Sequence, residues 1–101
     1  MEPVKLSNGT LVIFDGYNAN PLSMKRALET VSSLDFNRKL YILADMLELG
    51  SETEAAHRDL GYMLKYADGD IILIGESMAI THQILGERSI HFKDLALALS
   101  Y

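Results

Sequence analysis

The sequence predicts an α/β domain: an open, mostly parallel sheet with helices on both faces and an N-terminal β-hairpin. Three observations lead to this prediction. Short apolar runs alternate with stretches of helical periodicity along the 101 residues. The runs are almost continuously apolar, which is typical of strands buried on both faces. Strands that alternate with helices pair in parallel through crossover connections.

The first predicted element is a hairpin over residues 4 to 14. The segments VKL and TLVIF flank Ser7-Asn8-Gly9, and Asn-Gly strongly favours a tight hairpin turn. A helix follows, for which Asn20 is a suitable N-cap and Pro21 a suitable first residue. Its apolar positions recur at helical spacing, which indicates a stripe that faces the core. These positions are Met24, Ala27, Leu28, Val31 and Leu34.

Three more strands and three more helices are predicted downstream. The strands are KLYILAD at residues 39–45, IILIG at 71–75 and SIHF at 89–92. Ser51 and Glu54 form a capping box that opens the second helix. The residues that this helix turns inward are Ala56, Leu60, Met63, Leu64 and Ala67. A shorter helix over residues 77–86 and a last one over KDLALALSY complete a single domain.

Composition excludes several classes of partner. The net charge is −5 and the pI about 5.0, whereas nucleic acids and anionic membranes bind basic patches. There is no cysteine, which excludes disulfides and thiolate metal sites. The longest apolar runs reach about five residues, far below the roughly 20 that span a bilayer. We therefore expect neither a nucleic acid nor a membrane as partner.

Polar residues collect where the predicted strands end. Asp15 to Asn20, Asp45 to Gly50 and Gly75 to Ser77 follow three successive strands. In open α/β sheets, ligands bind beyond the carboxyl ends of the strands. The sequence therefore predicts a binding site at this edge of the sheet.

The first of these loops has more polar groups than one turn requires. Asp15 either caps a turn or bonds a ligand such as a ribose hydroxyl or a hydrated Mg²⁺. One asparagine suffices as the N-cap, so Tyr17, Asn18 and Asn20 offer further hydrogen-bonding groups to a ligand. The N-terminus of the following helix also favours an anion. A nucleotide, a phosphate and a carboxylate all remain possible ligands.

The second loop, DMLELG, is unusually apolar. Met46, Leu47 and Leu49 either tuck under the sheet edge or form an apolar wall for a small ligand. In the second case Asp45 and Glu48 would be its polar anchors. From the residues alone, the two interpretations are equally good.

Other motifs argue against familiar alternatives. No glycine precedes a lysine and no Gly-x-Gly-x-x-Gly occurs, so the chain has neither a P-loop nor the dinucleotide fingerprint. HRDL at residues 57–60 lacks the asparagine of a kinase catalytic loop and lies within a predicted helix. His57, His82 and His91 are too dispersed to predict a metal site. For His57 and Glu54, a surface or capping role is the better interpretation.

Two segments carry a resemblance to a known family. DGYNANPLSMKRALE at residues 15–29 and LADMLELGSETEAAHRDLG at residues 43–61 resemble the C-terminal domain of the Mur ligases. The motifs YNANP and DMLELG are specific to the MurF branch, the UDP-N-acetylmuramoyl-tripeptide–D-alanyl-D-alanine ligases. The resemblance covers about residues 4 to 100.

This resemblance implies a cytoplasmic, ATP- and Mg²⁺-dependent enzyme of peptidoglycan synthesis. Such ligases have an N-terminal domain for the UDP-sugar, a central domain with the P-loop, and a Rossmann-like C-terminal domain that closes over the nucleotide. A carboxylate of UDP-N-acetylmuramoyl-tripeptide becomes an acyl phosphate, which the amine of D-alanyl-D-alanine attacks. The chain is then expected to be most of the third domain, inactive by itself, with the other two domains as its partners.

The resemblance also assigns roles to residues. Asp15, Tyr17, Asn18 and Asn20 match the side that faces the nucleotide. The substrate side, near the dipeptide, matches Asp45, Met46, Leu47, Glu48 and Leu49. No catalytic residue and no metal ligand is expected within the chain, and Ala44 departs from the glycine that is usual in the family. The alternative from another class is a non-catalytic, receiver-like binding module that uses Asp15 and Asp45 around Mg²⁺.

Overall fold

The computed structural model describes residues 4–5, 10–15, 21–32, 38–47, 49–67, 69–94 and 96–97. The elements within them are strands β1 (Val4–Lys5), β2 (Thr10–Asp15), β3 (Arg38–Ala44), β4 (Asp70–Ile74) and β5 (Ser89–Phe92), and helices α1 (Pro21–Ser32), α2 (Thr53–Leu64) and α3 (Met78–Leu85). Short 3₁₀ turns, Gly50–Glu52 and Gly86–Arg88, precede α2 and follow α3. No helix among these residues is both long enough and apolar enough to cross a membrane.

The five strands form one sheet in chain order, β1-β2-β3-β4-β5. β1 and β2 pair antiparallel, with Val4 opposite Val12, which confirms the hairpin. The other pairs are parallel, as the alternation of strands and helices predicts. The α/β class and the mostly parallel sheet are therefore confirmed.

The hydrophobic core lies between the sheet and the three helices. Alternate residues of the central strands, including Tyr41, Leu43 and Leu73, are 0–1% exposed. They form one cluster with buried residues of all three helices, namely Met24, Leu28, Ala56, Leu60, Leu64, Met78 and Leu85. Each fully buried leucine contributes about 1.5–3 kcal/mol to stability through removal of apolar surface from water.

All three described helices pack on the same face of the sheet, whereas the sequence predicts helices on both faces. With strands in sequential order, right-handed crossovers place successive helices on one side. The last predicted helix, KDLALALSY, lies mostly outside the described residues. Within them, Ala96 and Leu97 are helical, and the Asp94 carboxylate accepts a hydrogen bond from the Leu97 N–H at 2.9 Å, as an N-cap does.

The predicted capping box at the start of α2 is wrong. Ser51 lies in the 3₁₀ turn, and α2 begins at Thr53 without a side-chain cap. The Thr53 hydroxyl instead donates to the carbonyl of Gly50 at 2.8 Å. Glu54 pairs with Arg58 one turn later. The 3₁₀ turn tightens the entry to the helix, so the geometry that a capping box requires does not form.

Candidate functional site

The carboxyl ends of three parallel strands bring the predicted loops together. Asp15, the last residue of β2, is in register with Leu43, and Ala44, the last residue of β3, is in register with Ile74. One edge of the sheet therefore carries Asp15, the loop after β3 and the loop after β4. We call it the carboxyl edge. The backbone of Asp15 is described, whereas Tyr17, Asn18, Asn20 and Glu48 lie outside the described residues.

The carboxylate of Asp45 closes the N-terminus of α3. Its Oδ2 accepts a hydrogen bond from the Ser77 N–H at 3.1 Å, and its Oδ1 accepts one from the Met78 N–H at 2.9 Å. The Asp45 N–H donates to the carbonyl of Ile74 at 3.1 Å. The first N–H groups of a helix lack partners within it, and a carboxylate there also interacts favourably with the helix dipole. Both oxygens of Asp45 are thus engaged within the domain.

This arrangement of Asp45 argues against the receiver-like alternative. A phosphoacceptor or a Mg²⁺ ligand needs a carboxylate oxygen that faces the ligand. Here each oxygen already accepts a backbone N–H. Among the described residues, no group of three or more His, Asp or Glu side chains is placed to hold a metal ion.

His57 lies inside the domain and within α2, so the expected surface or capping role is wrong for this residue. Its side chain is 0% exposed and belongs to α2. Its Nε2 accepts a hydrogen bond from the Met46 N–H at 3.1 Å, and its Nδ1 lies 2.7 Å from the carbonyl oxygen of Thr53. The histidine therefore connects the first turn of α2 to the loop after β3.

The apolar residues of the DMLELG loop divide between the two interpretations. Met46 is 2% exposed and belongs to the core, and Leu49 packs partly against it. Leu47, in contrast, is 56% exposed. Met46 and Leu49 thus anchor the loop, and Leu47 is the described apolar side chain that it presents to solvent.

Another histidine, His91, contacts the loop after β4. His91 of β5 has its Nε2 2.7 Å from the carbonyl oxygen of Gly75, and the Gly75 N–H donates to the carbonyl of Phe92 at 2.8 Å. The ring of His91 stacks on that of His82 with centroids 5.7 Å apart, and the Nδ1 of His82 lies 2.6 Å from the Ser89 hydroxyl. These contacts fix the end of β5 against the loop after β4, which leads to the N–H groups from which Asp45 accepts hydrogen bonds.

A cavity of about 340 Å³ lies elsewhere in the domain, between α1 and the end of α2. Tyr41 of β3 is among its lining residues, with Lys25 and Glu29 of α1 and the exposed Tyr66. None of the described loop residues at the carboxyl edge lines it. The cavity is therefore separate from the site that the strand ends form.

The carboxyl edge has features that fit a nucleotide. An acid, Asp15, ends β2 there, and α1 begins a few residues later in the sequence at Pro21, so a helix N-terminus follows that strand. A carboxylate suits a ribose hydroxyl, and a helix N-terminus suits a phosphate. Since the chain has no P-loop, another part of a larger site would have to hold the remaining phosphates.

The roles of His57 and Gly75 were missed by sequence reasoning. A signal for His57 existed, because Leu60 and Leu64 follow it at spacings of three and seven residues, which is the spacing of the buried stripe. For Gly75 the only signal was a glycine at the end of a predicted apolar strand, which is compatible with many turns.

Comparison with known proteins relates the chain to one family of ligases. The profile of the family described as "Mur ligase, glutamate ligase domain" matches residues 1–101. The UDP-N-acetylmuramoyl-tripeptide--D-alanyl-D-alanine ligase of Escherichia coli (strain K12) is 39% identical over 95 residues, 91% of this chain and 20% of that protein. The ligases of the same name from Bacillus subtilis (strain 168) and Haemophilus influenzae (strain ATCC 51907 / DSM 11121 / KW20 / Rd) are 40% and 31% identical over 63% and 91% of the chain. The chain spans only 14–20% of the length of these relatives.

Proposed function

Because the chain belongs to the Mur ligase family, whose glutamate ligase domain it matches from residue 1 to residue 101, we propose that it is the C-terminal domain of an ATP-dependent ligase. The ligase adds D-alanyl-D-alanine to UDP-N-acetylmuramoyl-tripeptide in peptidoglycan precursor synthesis. The observation that carries this proposal is an identity of 31–40% to ligases of that name. The partners of the domain are then the domains that bind the UDP-sugar and the phosphates of ATP.

The nucleotide side of the proposed site is the loop after β2. Asp15 bonds a ribose hydroxyl, and Tyr17, Asn18 and Asn20 face the nucleotide and the acyl phosphate. Closure of this domain over the central domain excludes water from the acyl phosphate and brings the dipeptide amine to it. Support comes from the position of Asp15 at the carboxyl end of β2, a few residues before the start of α1 in the sequence. Mg²⁺, when bound, would neutralise charge on the ATP phosphates.

The dipeptide side is the loop after β3, in which the residues divide the work. Asp45, Met46 and Leu49 hold the loop from within, as their hydrogen bonds and burial support. Leu47 and Glu48 then form the face that meets D-alanyl-D-alanine. The carboxylate of Glu48 is complementary in charge to the ammonium group of the free dipeptide, and the exposed side chain of Leu47 offers an apolar contact.

A chimeric ligase tests the proposal. In it, residues 1–101 of this chain replace the matching segment of the Escherichia coli ligase. We expect the chimera to form UDP-N-acetylmuramoyl-pentapeptide from ATP, the tripeptide precursor and D-alanyl-D-alanine, and the same protein without the segment to form none. A chimera that binds the UDP-tripeptide yet releases no phosphate with the dipeptide would overturn the proposal.

The chain by itself is expected to have no ligase activity. It lacks a P-loop, so the γ-phosphate of ATP has no cradle within it. The measurement is ATP turnover by the purified 101-residue chain in the presence of both substrates. Turnover that co-purifies with the chain through several columns would contradict this expectation.

Glu48→Ala in the chimera is expected to raise KM for D-alanyl-D-alanine roughly tenfold and to leave KM for ATP unchanged, since one charge-assisted contact is lost. Glu52→Ala is the matched control, because Glu52 is an exposed acid in the adjoining 3₁₀ turn. Steady-state kinetics with each substrate varied in turn provide the test. If Glu48→Ala changed only KM for ATP, the assignment of the two loops would have to be exchanged.

A further inference from the structure

We propose that His57 is a positioning residue for the dipeptide side of the site. Its neutral imidazole, protonated at Nδ1, accepts a hydrogen bond from the Met46 N–H and thereby fixes the loop at the residue before Leu47. This inference rests on the function proposed above for that loop. It adds a buried residue that contacts no substrate and acts through the loop.

The chemistry of the two partners determines the state of the ring. The carbonyl oxygen of Thr53, 2.7 Å from Nδ1, can only accept a hydrogen bond, so Nδ1 carries the proton. The N–H of Met46, 3.1 Å from Nε2, can only donate, so Nε2 is unprotonated. Both nitrogens are engaged, and the side chain is 0% exposed. His57 is therefore available neither as a general base nor as a metal ligand.

The hydrogen bond to Met46 acts at the point where the loop changes from buried to exposed. Met46 is 2% exposed and its neighbour Leu47 is 56% exposed. A backbone N–H that is buried beside the core needs an acceptor, and here only the imidazole supplies one among the described contacts. Loss of that acceptor would turn the Met46 peptide towards water and move the residues that follow it.

The backbone of His57 ties the same position to α3. Its carbonyl accepts a hydrogen bond from the Thr81 hydroxyl at 2.7 Å, and Thr81 is 0% exposed. The N-terminus of α3 is in turn bound by Asp45, the residue before Met46. Two adjacent loop residues are thus bonded to two different helices, and those helices are bonded to each other. Such a closed set of buried and half-buried contacts restrains the loop at both residues.

Two substitutions distinguish the roles of the two ring nitrogens of His57. In His57→Gln, the side-chain oxygen reaches the position of Nε2 and can still accept from the Met46 N–H. In His57→Asn, the shorter amide reaches only the position of Nδ1, so it can donate to Thr53 but leaves Met46 without an acceptor. Both variants remove the ring, so lost packing alone would impair both. The control is His82→Asn, which removes an imidazole from α3, outside the dipeptide loop.

In the chimera, we expect His57→Asn to raise KM for D-alanyl-D-alanine about tenfold, with KM for ATP unchanged, because one buried N–H loses its partner. His57→Gln retains an acceptor for the Met46 N–H, so its KM for D-alanyl-D-alanine is expected to stay within about threefold of the parent value. His82→Asn is expected to change neither KM for D-alanyl-D-alanine nor KM for ATP. Equal effects of the Asn and Gln variants, or effects on ATP alone, would overturn the proposal.

A second measurement on the 101-residue chain needs no activity. Long-range ¹H–¹⁵N correlation spectra of the His57 imidazole should show a protonated Nδ1 and an unprotonated Nε2. The Met46 amide should exchange with solvent slowly in the parent and in His57→Gln, and at least tenfold faster in His57→Asn. An inactive chimera with these signatures intact would overturn the proposed function while leaving the His57 contact established. An active chimera with a fast-exchanging Met46 amide in the parent would overturn the role of His57.

Discussion

Gly75→Ala is expected to lower the free energy of unfolding by about 3–4 kcal/mol, through backbone strain and a lost helix cap together. Gly75 has φ +121°, which side chains with a Cβ rarely adopt, and a Cβ added there would meet the carboxyl group of Asp45. The methyl group would push Asp45 away from the Ser77 and Met78 N–H groups. The substitution therefore disturbs the contact that joins the two loops of the site.

Urea unfolding of the chain and of two variants tests this expectation. Gly86→Ala is the control, because Gly86 also has a positive φ, +56°, but no atom lies within 4 Å of an added Cβ. It should cost about 1–3 kcal/mol from backbone strain alone. Similar losses in the two variants would show that contact with Asp45 contributes nothing.

A double-mutant cycle makes the test of Gly75 sharper. Asp45→Ala alone should cost about 1–2 kcal/mol, because two helix N–H groups lose their acceptor. In the Gly75→Ala background the same change also removes the colliding carboxylate. The two losses should therefore add to more than the double mutant shows. Strict additivity would mean that Gly75 and Asp45 act independently.

The second large effect concerns Asp15. In the chimera, Asp15→Ala is expected to raise KM for ATP roughly 10- to 100-fold, since a charge-assisted hydrogen bond of about 1.5–3 kcal/mol is lost. The stability of the domain should stay within about 0.5 kcal/mol, because the proposed partner of this carboxylate is the nucleotide and not the rest of the domain. KM for D-alanyl-D-alanine should be unchanged, because Asp15 ends β2 and the dipeptide loop follows β3.

Two controls accompany the kinetics of Asp15. Asp59→Ala removes an equally charged but exposed acid from α2 and should leave KM for ATP unchanged. Asp15→Asn keeps a hydrogen-bond acceptor without the charge and should lie between the parent and the alanine variant. An unchanged KM for ATP with unchanged turnover in Asp15→Ala would remove this residue from the nucleotide site.

Much of the architecture followed from local sequence patterns. Asn8-Gly9 between two apolar arms predicted the hairpin, and Pro21 predicted the first residue of α1, where the structure begins that helix. The strand SIHF has the predicted limits, Ser89–Phe92. These features are decided within a few residues, by turn geometry, by the fixed φ of proline and by the period of apolar side chains.

Contacts between distant residues decided the rest. The partners of Asp45 stand 32 and 33 positions away. Those of His57 include Met46 in the loop after β3 and Thr81 in α3. A polar residue in a sequence shows what it can donate or accept, but its partner is chosen by packing of the strands and helices. Composition and motifs thus determined the class, the family and the edge of the sheet that carries the proposed site. The tertiary structure alone decided that Asp45 and His57 bond within the domain, because polar atoms withdrawn from water by packing must find partners there.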